Sequence, residues 1–142
     1  MSYWLNSWKR FLLEEQQEKL KYAAGILAIA KDTKRILLSF RSQNVSFPNT
    51  WSTIGGFRNE KDKSFLFTAK REFKEETGFT GDFIHIIPAY ISRDNNVEYH
   101  NFIGILESEF RPISTPKYDW ENDDFNWFFY SEIMGLGTLH PG

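Results

Sequence analysis

The chain has 142 residues, enough for one domain with a sizeable core. It contains no cysteine, which excludes disulfides, thiolate metal sites and cysteine nucleophiles. The 17 basic and 19 acidic residues give a formal net charge of −2, so no overall positive charge favours a DNA duplex or an anionic membrane. The first ten residues lack the pattern of a secretory signal, and we expect a cytoplasmic protein.

The chain begins with an amphipathic segment, residues 4–21, in which apolar side chains recur at nearly helical spacing. This pattern predicts an N-terminal helix that packs on the domain, and a contact in a homodimer is the alternative. Apolar runs bounded by turn-forming residues then predict strands. These runs cover residues 22–30, 35–41, 51–54, 83–91, 99–107 and 125–130.

The connections between these strands are polar or rich in turn formers. Residues 31–34 and the region around Asn95 predict turns, whereas residues 42–49 and 114–124 are expected to be irregular. Gly55 and Gly56 are predicted to break the third strand. Many strands around one internal helix predict an α+β fold in a single domain, residues 1–142. The abrupt ending predicts that a further C-terminal helix is missing.

The internal helix is predicted over residues 64–77, with Gly78 as its C-terminal stop. At about 100° per residue, one arc of roughly 100° holds three carboxylates. These carboxylates belong to Glu72, Glu75 and Glu76. A core-facing stripe lies beside this arc and consists of Leu66, Ala69 and Phe73. The carboxylates are therefore expected at the border between the core and the solvent.

Like charges at these spacings oppose helix formation, so the acidic arc needs compensation. Arg71 can neutralise one carboxylate, and a divalent cation can neutralise the remainder. Ligands that are all oxygen favour Mg²⁺ or Mn²⁺ over zinc. A solvated acidic helix face is the alternative interpretation. Three arginines are candidates for binding substrate phosphates, because a guanidinium group can donate two parallel hydrogen bonds to a phosphate. They are Arg41, Arg58 and Arg93, and the alternative is that each is simply solvated at the surface.

Residues 55–79 resemble the Nudix box, G-x5-E-x7-R-E-U-x-E-E-x-G-U, in which U is a bulky apolar residue. Residues 71–79 match at every specified position. The first half departs from the pattern, because the spacing from Gly56 to Arg71 is one residue longer and Lys63 stands where the early glutamate is expected. If the loop bulges by one residue, Asp62 or Glu60 can take the place of this early glutamate.

This resemblance, which extends from residue 22 to 141, implies a Nudix-type α/β/α sandwich with a mixed β-sheet. It also implies hydrolysis of the pyrophosphate bond in a nucleoside diphosphate linked to another moiety, with Mg²⁺ or Mn²⁺ as cofactor. Nucleoside diphosphate sugars or ADP-ribose are the preferred substrates. The alternative is a non-catalytic Nudix module that binds a nucleotide or a protein partner, an interpretation favoured by the altered early position.

The resemblance also implies roles for individual residues. The expected metal ligands are the Gly55 carbonyl and the carboxylates of Glu72, Glu75, Glu76 and Glu121. The expected catalytic residues are Arg71, Glu72, Glu76 and Glu121, with Arg71 orienting the carboxylates. Glu121 is expected as a ligand or general base because it precedes Trp127 by six residues, with Asp123 or Asp124 next and a plain acidic loop as the alternative.

Overall fold

The computed structural model describes residues 20–41, 49–113, 122–137 and 139. Seven strands form one mixed sheet: β1 Lys21–Ala30, β2 Ile36–Arg41, β3 Trp51–Ser52, β4 Ile54–Phe57, β5 His85–Asp94, β6 Val97–Leu106 and β7 Asn122–Phe128. The helices are α1 Phe65–Thr77 and α2 Tyr130–Ile133. The strand order is β3-β2-β1-β6-β5, with β4 paired to β1 and β7 to β2. Among the named strands of the described residues, β1 and β6 run parallel and the other pairs antiparallel, so the predicted α+β fold with a mixed sheet is confirmed.

Helix α1 begins and ends as its sequence predicts. The side chain of Ser64 accepts a hydrogen bond from the backbone N–H of Phe67 at 3.1 Å, which caps the first turn. Gly78 has a positive φ of 72°, and its N–H donates to the carbonyl of Lys74 at 2.9 Å. This left-handed residue after the last turn is the usual stop for a helix.

The core lies on both faces of the sheet. On one face, Ala69 and Phe73 of α1 are fully buried. They pack against the buried side chains of β1, namely Ala24, Ile26, Ala28 and Ala30. Leu66, expected in the same stripe, is only partly buried. The opposite face carries a second cluster built on Ile36, Leu38 and Phe128, and α2 reaches it through Ile133.

Several strand predictions are wrong in their bounds, and two of these errors follow from strand pairing. Strand β4 continues through Gly55 and Gly56, which pair with Gly25 and Ala24 of β1, so the glycine pair does not break the strand. Strand β7 begins at Asn122, inside the segment predicted to be irregular, because it is paired with β2 from there onward. It also ends at Phe128, and the short helix α2 occupies the residues that follow.

The hairpin between β5 and β6 turns as predicted, at Asn95 and Asn96, whose φ angles are 46° and 63°. Asparagine tolerates such positive angles better than most residues. The predicted helix over residues 4–21 lies outside the described residues except at its end, where Lys21 already belongs to β1. Within the described ranges, no helix is long and apolar enough to cross a bilayer.

Candidate functional site

The loop between β4 and α1 directs one carboxylate beneath the helix. A turn over residues 59–62 is closed by the Asp62 N–H, which donates to the Asn59 carbonyl at 3.1 Å. The Asp62 side chain accepts from the Asn59 N–H at 3.0 Å and from the Thr68 hydroxyl at 2.9 Å. Asp62 is only 4% exposed and Thr68 is fully buried. The turn therefore absorbs the additional loop residue and leaves Asp62 facing α1.

Arg71 on α1 connects this loop to the acidic arc. Its Nε donates to Asp62 Oδ1 at 3.0 Å, and its Nη2 donates to Asp62 Oδ2 at 2.9 Å. Nη2 also donates to the Phe57 carbonyl at the end of β4, at 3.0 Å. Nη1 donates to Glu72 Oε1 and to Glu75 Oε2, each at 3.0 Å. One guanidinium group thus holds strand, loop and helix together.

The charges of this network stabilise one another. The bidentate hydrogen bonds from Arg71 hold the pKa of Asp62 down to about 2, and the bonds from Asn59 and Thr68 act in the same direction. The same contacts, with the charges of Glu72 and Glu75, raise the pKa of Arg71 above its ordinary value. Both groups are therefore fully charged at neutral pH.

The three predicted carboxylates lie along one turn of α1 and outnumber the positive charge that Arg71 brings. Glu72 and Glu75 each share Arg71 with Asp62, whereas Glu76 is only 3% exposed. Asp62, Glu72 and Glu75 bring three carboxylates to one guanidinium, which is more negative charge than Arg71 alone offsets. A divalent cation is suited to offset such an excess.

Glu72 is seated against the backbone of β4. A Cβ atom added to Gly56 would lie 2.5 Å from the Glu72 carboxyl carbon and 2.6 and 2.7 Å from its oxygens. The missing side chain at Gly56 therefore makes room for the carboxylate. The carbonyl of Gly55, the predicted backbone ligand, is on the neighbouring residue.

Replacing Gly56 by Ala tests this close approach. We expect catalytic efficiency to fall by about 10- to 100-fold, because the new methyl group must displace the Glu72 carboxylate from its place. Circular dichroism melting should show little loss of stability, since the displaced group is the end of a flexible side chain. Gly137→Ala is the control, because a Cβ there meets no atom within 4 Å. Equal activity of the two variants would contradict the assigned position of Glu72.

The three arginines predicted to bind phosphates occupy different surroundings. Arg58 lies over the ring of Phe65, 4.7 Å from its centroid, and donates to the Asp62 carbonyl. Arg93 is paired with Glu98 across the β5–β6 hairpin at 2.6 Å. Arg41 ends β2, and its charge acts on the hydroxyl of Tyr99, as does the charge of Glu76. Arg41 and Glu76 therefore act on the same hydroxyl, in opposite directions.

The acidic loop before β7 is only partly described. Glu121 lies outside the described residues, and so do the side chain of Asp123 and Trp120. Asp124 is exposed on β7 opposite Phe40, and its carboxylate accepts the N–H of the next residue at 2.8 Å. The role proposed for Glu121 therefore stays a prediction.

The donors available to a cation are those of α1 and β4. In the part of the chain that the structure describes, no three acidic or histidine side chains gather into a ready-made metal cage. Mg²⁺ is usually bound by one or two carboxylates together with substrate phosphates and water, not by a complete protein cage. The Glu72 carboxylate, which lies against Gly56, and the nearly buried Glu76 on the same turn of α1 fit that mode of binding.

The mixed sheet, with an acidic helix held to the preceding loop by Arg71, defines a Nudix-type protein. A sequence model of the NUDIX domain matches residues 19–142. The chain therefore belongs to the Nudix family, and the prediction of a Nudix pyrophosphohydrolase is confirmed at the level of this class. No curated protein matches the chain.

Solved structures share this fold at low sequence identity. A Nudix hydrolase from M. smegmatis, RenU, is 16% identical, with a TM-score of 0.67, over 88% of this chain and 80% of that one. The NUDIX domain of Shewanella oneidensis NrtR, complexed with ADP ribose, is 18% identical, with a TM-score of 0.67, over 98% of this chain and 90% of that one. A bifunctional NMN adenylyltransferase/ADP ribose pyrophosphatase from Francisella tularensis, complexed with AMP and a manganese ion, is 19% identical, with a TM-score of 0.64, over 93% and 41%.

Proposed function

We propose that this chain hydrolyses the pyrophosphate bond of a nucleoside diphosphate linked to another moiety, with Mg²⁺ or Mn²⁺ as cofactor. The observation that carries the proposal is the turn of α1 on which Glu72 lies against Gly56 and shares the Arg71 guanidinium with Glu75, while Glu76 is nearly buried beside them. This excess of carboxylate oxygen supports binding of a divalent ion together with substrate phosphates.

The residues of the chain have separate parts in this proposal. Glu72, Glu76 and the Gly55 carbonyl hold the ion, with Glu75 as a further ligand and Arg71 as the group that orients them. A bound divalent ion supplies charge neutralisation at the phosphate oxygens and activates water. Glu121 is proposed as a further ligand or as the general base. Arg41 is the best supported of the arginines for contacting substrate phosphates, because its charge reaches the same hydroxyl as that of Glu76.

We prefer ADP-ribose or a nucleoside diphosphate sugar as substrate over oxidised nucleoside triphosphates, dinucleoside polyphosphates and capped RNA. The support comes from two similar structures, one complexed with ADP ribose and one described as an ADP ribose pyrophosphatase complexed with AMP and a manganese ion. A cytoplasmic location and a homodimer stay predictions from the sequence. The same holds for the prediction that the partner is a small molecule and not a DNA duplex or a membrane.

The alternative, a non-catalytic Nudix module, was favoured by the missing early glutamate. That support is weakened by Asp62, which is buried and bidentate to Arg71, whereas Lys63 and Glu60 are exposed. The loop therefore retains an acidic anchor for the helix despite its altered length.

A phosphatase-coupled assay tests the proposed function. Hydrolysis of ADP-ribose by water gives AMP and ribose 5-phosphate, two monoesters from which an added phosphatase releases phosphate. We expect release from ADP-ribose or a nucleoside diphosphate sugar with Mg²⁺ or Mn²⁺, and loss of release when EDTA removes the ion. The assay is run on a panel of ADP-ribose, nucleoside diphosphate sugars, oxidised nucleoside triphosphates, dinucleoside polyphosphates and capped RNA, and saturable binding of ADP-ribose without turnover of any of them would instead establish the non-catalytic module.

A further inference from the structure

The side chain of Tyr99 extends from β6 over β1 and reaches the backbone of β4. It lies on β6 and pairs with Ala23 of β1, whereas Gly25 of β1 pairs with Gly55 of β4. These four residues share one face of the sheet, because paired residues and every second residue along a strand point the same way. A Cβ added to either Gly25 or Gly55 would lie 2.1 Å from the Tyr99 hydroxyl oxygen. The phenol therefore fills the space left by both glycines.

The hydroxyl of Tyr99 lies where the charges of Glu72 and Glu76 act on it. Burial raises its pKa well above the ordinary value, and the negative charges of Glu76 and Glu72 raise it further. Thr53, just before β4, hydrogen-bonds the hydroxyl through its side chain.

The two glycines of β4 are thus contacted from opposite faces of the sheet. The Glu72 carboxylate lies against Gly56 on the face of α1, and the Tyr99 hydroxyl lies against Gly55 on the other face. Consecutive strand residues point to opposite faces, so each missing side chain makes room for one polar group. Sequence reasoning did not single out Tyr99, although glycines within two paired strands are a sign of close approach.

We propose that Tyr99 is a positioning residue whose hydroxyl fixes the Gly55 backbone relative to the carboxylates of Glu72 and Glu76. The inference rests on the proposed function, in which the Gly55 carbonyl and these carboxylates hold the divalent ion. A phenylalanine would keep the ring packed over Gly25 but would leave Gly55 without the hydroxyl and Thr53 without its partner. The ring would then preserve the fold while the Gly55 backbone lost its contact with the hydroxyl.

Tyr99→Phe separates the hydroxyl from the ring. Binding of Mn²⁺ is measured by electron paramagnetic resonance in the presence of a methylene-bridged, non-hydrolysable analogue of ADP-ribose. We expect the variant to bind Mn²⁺ about 10-fold more weakly than wild type and to lose kcat more than KM rises. Its melting temperature should change by less than about 3 °C, because the packed ring remains.

Tyr130→Phe is the matched control, since Tyr130 is 68% exposed on α2 and should behave as wild type. A Tyr99→Phe protein with wild-type Mn²⁺ affinity and kcat would overturn the inference and leave the proposed function standing. A wild-type chain that neither binds Mn²⁺ nor hydrolyses any nucleotide would overturn the proposed function, and the inference with it.

Discussion

Glu76→Gln is expected to lower kcat/KM by about 100-fold or more without destabilising the fold. Loss of second-layer partners of a metal site already costs about 10- to 100-fold, and Glu76 is proposed as a ligand itself. The amide keeps the size of this nearly buried side chain. It also removes one of the like charges spaced three or four residues apart on α1, so the metal-free variant should melt at or slightly above the wild-type temperature.

The measurements are steady-state kinetics on the nucleotide that the wild-type protein hydrolyses, and thermal melting with and without Mn²⁺. Mn²⁺ should raise the melting temperature of wild type but not of Glu76→Gln, because only a ligand of the folded state stabilises it. Glu107→Gln, an exposed carboxylate beyond β6, is the control. Retained activity, or a large drop in melting temperature, would mean that Glu76 serves packing and not metal binding.

Local sequence patterns predicted those parts of the fold that are fixed by local interactions. Helix α1 was placed within one residue of its bounds, because Ser64 and Gly78 cap it through contacts within four residues. The β5–β6 turn followed from two adjacent asparagines that accept positive φ angles. In both cases the residues that determine the structure are neighbours in the chain.

Features fixed by distant residues were predicted poorly. The Gly55–Gly56 pair reads as a strand break, yet it continues β4 because Gly25 and Ala24 of β1 complete its ladder. The start of β7 is likewise set by its pairing with β2, more than 80 residues earlier, through the register Arg41 to Asn122. No local propensity carries that information.

The sequence predicted which acidic residues of α1 lie together, but not which loop residue contacts Arg71. The spacing of Glu72, Glu75 and Glu76 placed them on one face, and Arg71, expected to neutralise one of them, pairs with two. The sequence alone did not decide whether Asp62 or Glu60 replaces the early glutamate, because the loop is one residue longer than the pattern. The turn at residues 59–62 resolves it, since it buries Asp62 against Arg71.

Asp62→Ala is expected to cost about 2–4 kcal/mol of unfolding free energy, since it breaks a nearly buried ion pair and deprives the Asn59 N–H and the Thr68 hydroxyl of an acceptor. Activity should fall by about 10- to 100-fold, because Arg71 loses the contact that orients it toward Glu72. Urea unfolding and kinetics measure the two effects. The folded pKa of Asp62, about 2, lies below the ordinary 3.8. The electrostatic part of the wild-type advantage should therefore be present above the ordinary pKa and be lost as the pH falls through about 2.

Lys63 and Glu60 provide the controls that assign this role to Asp62. Lys63→Glu restores the residue type of the Nudix box at its expected distance from Arg71, but Lys63 is exposed, so this change alone should alter neither stability nor activity. Glu60→Gln should be equally silent. Added to Asp62→Ala, Lys63→Glu should fail to rescue activity, because the turn at residues 59–62 directs position 62, and not 63, towards the guanidinium. Rescue would mean that the loop can shift by one residue, and that the register seen here is not the one activity requires.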